Sequence, residues 1–414
     1  MVPQDARYAP DSSYAWLRLG MSLILGTVAC VGTWSVVVVL PSVQAEFGTL
    51  RAGASLPYTC IMIGFGIGNI AMGRVADRYG IVVPIVVGAI MLGSGYLLAA
   101  MAQSLWQFAL VHLILIGIGG GAGFAPLIAD LSHWFRRHRG LAVVFGASGS
   151  YLAGVIWPQV ITWGLEHHGW RATHAGIGLV VLAVMLPLAL FFRRRPSSQH
   201  MAADDAASAG ARGDLGLSAN QLQWLLAAAG FCCCVAMAMP QVHIVAYCGD
   251  LGYGVARGAE MLSLMLGLGI VSRIGSGFVA DRIGGAATLA LGSVMQGLAL
   301  FLYLWFDGLT SLYIVTGIFG LFQGGIVPMY AVIIREYLPA KEAGVRIGIV
   351  MSATLLGMAF GGYVSGAIFD YFASYRVAFL NGLAWNLVNV AIVCWLMVRA
   401  RPRSSPGNST AATA

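Results

Sequence analysis

One arginine stands deep inside an apolar run. The segment EMLSLMLGLGIVSRIGSGFVAD, residues 260–281, carries Arg273 eight positions before Asp281. On a helix that is about 12 Å in from the edge of a hydrocarbon core about 30 Å thick. Lipid is a poor neighbour for a guanidinium, because Arg at a helix centre costs at least about 2.5–3.5 kcal/mol. A wet cavity between helices lowers that cost, and there the planar fork can hold a carboxylate through two parallel hydrogen bonds. The plainer alternatives are an Arg that snorkels to the membrane edge and one neutralised by an internal partner. His243, in MPQVHIVAYCGD (239–250), is the second titratable candidate. Its imidazole can take a proton near neutral pH, against the plainer reading of a histidine bonded within helix packing. Gln241, Tyr247, Gln323 and Tyr330 are polar candidates for a cavity wall, and Phe124 and Trp34 for its apolar side.

Other chemistries find less support. Cys232, Cys233 and Cys234 are consecutive, so on a helix their side chains diverge by about 100° each and cannot converge on one ion. His167, His168 and His174 cluster near Glu166 with no thiol or further carboxylate, which reads as a loop rather than a catalytic centre. No phosphate-binding loop is present to drive a pump with ATP. The expectation is therefore a protein that is not an enzyme and needs no metal or cofactor.

The elements that must position Arg273 are membrane helices. Only 9% of the 414 residues are charged, 59% are hydrophobic and the mean hydropathy is +0.81. A water-facing surface needs about a quarter charged residues. Twelve apolar runs are each long enough to span: about 17–40, 53–72, 81–101, 105–128, 140–163, 173–192, 221–247, 258–279, 286–306, 310–334, 345–369 and 376–399. The first is too long for a signal-peptide core, so no cleaved leader is expected. An even number of spans puts both termini on one side. Eighteen Arg and Lys fall on that side and four on the other, with Arg273 between them. The positive-inside rule makes that side cytoplasmic. The net charge of +7 is thus an orientation signal and not a sign of nucleic-acid binding.

The expected organisation is a cytoplasmic segment (1–16), a six-helix bundle (17–192), a flexible Ala/Ser/Gly-rich cytoplasmic loop (193–220), a second six-helix bundle (221–399) and a cytoplasmic tail (400–414). The two bundles repeat. GRVADRYG (73–80) returns as GFVADRIG (277–284), 204 residues on. Pro126 and Pro328 stand 202 apart, and HGWRATHAG (168–176) is echoed by ASYRVAFLN (373–381). Such duplicated carriers bind their substrate near mid-membrane, between the halves, and rock the halves to alternate access. Asn69 is the repeat mate of Arg273, so one half offers an amide where the other offers a cation.

The pattern G-x-x-x-D-R-x-G after the second span, with its weaker copy after the eighth, resembles the signature of the major facilitator superfamily. The resemblance covers the whole chain and implies an all-α membrane fold of twelve helices in two repeats. It implies a cytoplasmic gate at Gly73, Asp77, Arg78, Gly277, Asp281 and Arg282. In it, the glycines let helices cross closely and the acids meet a neighbouring helix N-terminus or loop Arg when that side is shut. A narrower resemblance follows. DSSYAW (11–16) is similar to the D/E-G-x-F/Y-G/A-W motif of the monocarboxylate transporter family, with Ser12 where that family has Gly. WFRRHRGLAVVFGASG (134–149) resembles its Y-F-x-K-R-R-x-L-A-x-G-x-A-x-x-G. In that family an Arg of the eighth span, shortly before G-x-x-x-D, binds the substrate carboxylate, and Arg273 matches it. The chain departs from the family at Gly269, where some members have Asp, and in lacking Lys in its first and eleventh spans. One buried cation suits one carboxylate.

The resulting expectation is a monomeric multi-pass protein of the plasma membrane, such as a bacterial inner membrane. It would carry a small organic monocarboxylate with a proton, His243 serving the proton. A proton-coupled drug or metabolite antiporter of the same fold is the rival within transport, and a non-transporting membrane receptor the rival outside it.

Overall fold

The computed structural model describes residues 10–135, 139–194, 216–338 and 340–399. Most of the central loop and all of the tail from residue 400 lie outside the described residues, as do the first nine positions. Among the described residues the only regular structure is helical. Eleven stretches are long and apolar enough to cross a bilayer, and the longest, Ala142–Phe191, bends at Gly169 (φ 74) into two, which gives twelve crossings. We number them α1 (Ser13–Glu46), α2 (Arg51–Tyr79), α3 (Val82–Ala100), α4 (Leu105–Leu131), α5 (142–168), α6 (170–191), α7 (Ala219–Asp250), α8 (Val255–Ile283), α9 (Gly285–Leu302), α10 (Leu309–Tyr337), α11 (Arg346–Phe372) and α12 (Tyr375–Arg399). The face where α1 begins and α12 ends is called the terminal face here, and the opposite one the far face.

Local sequence explains the ends. Ser12, Ser104 and Ser218 cap α1, α4 and α7 by accepting a backbone N–H in the first turn, and Gln221 completes a capping box with Ser218. Gly80 and Gly284, the last letters of the two octamers, stop α2 and α8 with φ of 87° and 84°, a left-handed conformation that favours glycine. The repeated phrase therefore ends in a repeated helix stop.

The helices pack as two bundles, α1–α6 and α7–α12. Two seams join them: α2 lies along α11, and α5 along α8, with α1 touching α7. Burial from water does not drive helices together in lipid, so close packing rests on small residues. A Cβ at Gly64 or Gly68 of α2 would run into the backbone of α4, and one at Gly320 or Gly324 of α10 into the backbone of α8. These pairs bring the second and fourth helix of each bundle within backbone contact, which fixes the walls around the bundle interface.

Candidate functional site

The site is built where helices are interrupted near mid-membrane. At the start of α5, the segment Arg139–Ala147 that leads into it ends at Ser148 before the helix resumes at Gly149. In α10, Leu309–Gln323 ends at Gly324 and a new segment starts at Ile326. A helix C-terminus leaves carbonyls without helical partners and carries the negative end of the helix dipole. Arg273 reaches both ends. Its Nη1 donates to the Ala147 carbonyl at 3.0 Å, and its Nε to the Gly324 carbonyl at 3.3 Å. Its guanidinium lies over the Tyr151 ring, 4.2 Å from the centroid. Arg273 is 8% exposed, yet no carboxylate is within ion-pair distance among the described residues, and Nη2 donates no hydrogen bond there. It is a cation solvated by helix ends and an aromatic face, bridging the two bundles without a counter-ion.

A polar cluster adjoins it. Gln323 Oε1 accepts from Tyr151 Oη at 3.2 Å and from Gln241 Nε2 at 3.0 Å. Gln323 is fully buried, and its Nε2 has no partner. The hydroxyl of buried Tyr58 on α2 is likewise unpaired. Both atoms are therefore available to hydrogen-bond a polar ligand. Gly269 makes the cluster possible: a Cβ there would lie 2.5 Å from Tyr151 Cε1 and 3.2 Å from Gln323 Nε2. A side chain at 269 and the tyrosine at 151 compete for one space.

The repeat mate of Arg273 works at the matching break. In α4 the helix tightens at Gly121–Gly123 and restarts at Ala125. Asn69 Oδ1 accepts the Ala125 N–H at 3.1 Å, capping the restarted segment from α2. In the second bundle Ser272 Oγ accepts the Gly325 N–H at 3.1 Å. Each half thus caps its broken helix from the neighbouring one, and only the second adds a charge.

The sequence profile of the family described as Major Facilitator Superfamily matches residues 22–317 and 276–413. The chain belongs to the Major Facilitator Superfamily. It is similar to Monocarboxylate transporter 13 of Bos taurus, at 26% identity over 403 residues, 94% of this chain and 90% of that one. It is also similar to the Fujikurins efflux protein of Gibberella fujikuroi, at 27% identity over 325 residues, covering 77% of this chain and 67% of the other. Among solved structures, a bacterial homolog of the human lysosomal transporter Spinster, inward-facing and occupied, superposes with a TM-score of 0.70. The match has 14% identity and covers 94% of this chain and 96% of that one. The nucleoside transporter NupG gives 0.72, at 14% identity, over 93% and 100%. The protein is a transporter of the facilitator fold with twelve helices, as its repeats suggested.

The remaining site candidates of this facilitator fall in three places. Gln241 and Gln323 belong to the cluster beside Arg273. Trp34 donates to the Ser150 carbonyl at 2.9 Å, and Phe124 packs on Phe65, both beside the breaks in α5 and α4. His243, Tyr247 and Tyr330 point into the second bundle. His243 is fully buried; its Nε2 meets the Gly362 carbonyl at 2.8 Å and its Nδ1 the Tyr375 hydroxyl at 3.2 Å. A carbonyl can only accept, so Nε2 carries the hydrogen and Nδ1 accepts from Tyr375. Tyr247 packs on Tyr375 and Phe379. Tyr330 donates to Asn389, within a buried amide network of Gln296, Asn386 and Asn389.

The charged residues of the octamers stand at the surface. Asp77, Arg78, Asp281 and Arg282 are exposed, and neither acid makes a hydrogen bond or ion pair among the described residues. A Cβ at Gly73 or Gly277 would meet open space. Inter-bundle hydrogen bonds among the described residues run from Arg273–Ala147 at mid-depth toward the far face. These contacts hold the bundles together at the far face.

Sequence reasoning does not single out Tyr151, Tyr58 or Asp130. Arg18, fully buried, grips Asp130 of α4 in a bidentate pair, Nε–Oδ2 2.7 Å and Nη2–Oδ1 2.8 Å. Asp130 falls just past the expected fourth span, and the helical segment Ala125–Trp134 that ends α4 runs through it. Its apolar flank, ADLSHW, is the available signal. The two motifs that resemble the monocarboxylate transporter family also meet beside this pair. Asp11 N–H donates to the Trp134 carbonyl, Tyr14 packs on Trp134, and Trp16 on Phe135, so DSSYAW folds onto the first residues of WFRRHRG.

Proposed function

We propose that this facilitator is a secondary transporter of a small organic monocarboxylate, working by alternating access in the plasma membrane with its termini in the cytoplasm. The observation that carries the reading is Arg273: a cation at the bundle interface, without a carboxylate partner, beside two unpaired polar groups. An anionic substrate reaching the bundle interface meets Nη2, and its carboxylate serves as the counter-ion. One cation, with no second one beside it among the described residues, favours a single carboxylate over a dicarboxylate. The similarity to a protein named monocarboxylate transporter supports the same cargo class.

We take the proton as the coupling ion and His243 as its candidate carrier. Protonation at Nδ1 would turn that nitrogen into a donor and oblige the Tyr375 hydroxyl to rotate and accept, which links the charge to α12. Relatives named as efflux proteins make export of an organic acid the second reading of direction. The test is uptake of a panel of labelled mono- and dicarboxylates into proteoliposomes, with and without an inward proton gradient. The reading expects monocarboxylate accumulation that follows the gradient, and no response to the gradient once His243 is replaced by Ala. Equal uptake of dicarboxylates, or ethidium transport in place of carboxylates, would overturn it.

A further inference from the structure

We propose that Arg51, Asp250 and Asp370 form a latch that holds the far face shut and sets the resting state of the transporter. The inference rests on the facilitator fold and not on the cargo. Arg51 is the first residue of α2, in the first bundle, and both its backbone N–H and its Nη2 donate to the second. Asp370 of α11 accepts the backbone N–H groups of Arg51 and Ala52, at 2.7 Å each. A carboxylate at a helix N-terminus satisfies orphan donors and meets the positive end of the dipole. Here the cap comes from the opposite bundle. The Arg51 side chain turns to α7, where its Nη2 lies 2.9 and 3.0 Å from the two oxygens of Asp250. The guanidinium is 4.8 Å from the Phe369 ring centroid and 5.9 Å from that of Tyr375, and its side chain is 8% exposed. One residue thus ties α2 to α7, α11 and α12 by backbone, charge and aromatic contact.

The duplication shows that this arrangement is an addition to the scaffold. Asp250 minus 204 is Glu46, at the same end of α1. Glu46 stays within its own bundle: it pairs with Arg171 of α6 at 2.6 Å and accepts from Trp170. The echo of HGWR by ASYR makes Arg376 the equivalent of Arg171; it is exposed and makes no ion pair with Asp250, which turns outward to the other bundle. Asp370 minus 204 is Glu166, which is exposed, and α8 begins after Gly254 without any side-chain cap. At the far face, only the α2–α11 seam carries an ion pair between the bundles among the described residues. The α5–α8 seam carries a single exposed hydrogen bond toward this face among the described residues, Gln159–Ser263 at 3.2 Å. Alternating access must break the locked seam each cycle, since the three contacts cannot survive separation of α2 from α11. On the other face Asp77 and Asp281 make no hydrogen bond or ion pair among the described residues while the latch is closed, so the two locks alternate.

The test is a distance measurement between spin labels at Met101 and Trp305. Both are exposed, and they lie in far-face loops of opposite bundles. Cys60 and Cys394, the two partly exposed thiols, are first replaced by Ser in the full chain. The parent should show one short-distance population. Asp370→Asn and Arg51→Ala should each raise the ratio of long to short distances tenfold or more. Asp250→Asn, which leaves the cap intact, should raise it less, and provides the reading if the others do not fold. Glu46→Gln, the in-bundle counterpart, should leave the ratio unchanged. Latch variants within twofold of the parent, or a shift in Glu46→Gln equal to that in Asp250→Asn, would overturn the proposal.

Discussion

Replacing Asp130 by Ala removes one half of the most deeply buried ion pair among the described residues. Arg18 is fully enclosed and Asp130 is 8% exposed. The bidentate geometry uses both carboxylate oxygens, at 2.7 and 2.8 Å. The other surroundings of Arg18 are the Tyr14 hydroxyl at 3.2 Å and the ring centroids of Trp134 and Phe192 at 4.8 and 4.7 Å. None of these carries charge, and all of them remain in the mutant. An uncompensated buried cation costs about 3–5 kcal/mol. Replacing both partners by apolar residues of similar volume is often neutral, so Arg18→Met with Asp130→Leu should return to within about 1 kcal/mol of the parent. Denaturant unfolding in detergent, followed by fluorescence of the tryptophans around the pair, measures both. A loss below about 1 kcal/mol for the single variant would refute the reasoning, as would a double variant no more stable than the single; either would mean that water reaches the guanidinium.

Gly269→Ala should destabilise by about 1–3 kcal/mol through overpacking on Tyr151, and adding Tyr151→Ala should relieve most of that loss in the same unfolding assay. Asp77→Asn and Asp281→Asn should leave stability within about 0.5 kcal/mol in the absence of substrate, because neither acid has a partner in this conformation among the described residues. They should nevertheless slow transport, where closure of the terminal face is required. A melt that falls with either substitution would show a contact at that face in the resting state.

The architecture is legible because membrane helices write themselves as long apolar runs and the duplication writes each landmark twice. Arg273 is legible against the same background: a charge inside such a run is too costly to stand there without a polar environment to receive it. What surrounds it is not legible. Tyr151 and Gln323 meet because α5 and α10 both break, and the breaks at Ser148 and Gly324 are tertiary features within continuous apolar sequence. Tyr330 and Gln323 lie on one helix, yet one joins an amide network inside the second bundle and the other faces the interface. Helical rotation decides that, and composition does not show it. The gate motif can be read from the chain, but its conformation is a property of the state: sequence names the parts of a lock without saying whether it is closed. Gly269, a departure from the family pattern, becomes intelligible only when its missing side chain is seen to make room for a tyrosine.

The central claim is that Arg273 supplies the charge that holds the substrate. Equilibrium binding of a labelled monocarboxylate to purified protein, parent against Arg273→Lys, tests it without any assumption about coupling or direction. Lysine keeps the charge but loses the planar fork that reaches two helix ends and a carboxylate together. The account predicts affinity weakened by about tenfold or more, corresponding to at least about 1.4 kcal/mol, with the protein still folded. Binding unchanged in Arg273→Lys would contradict it.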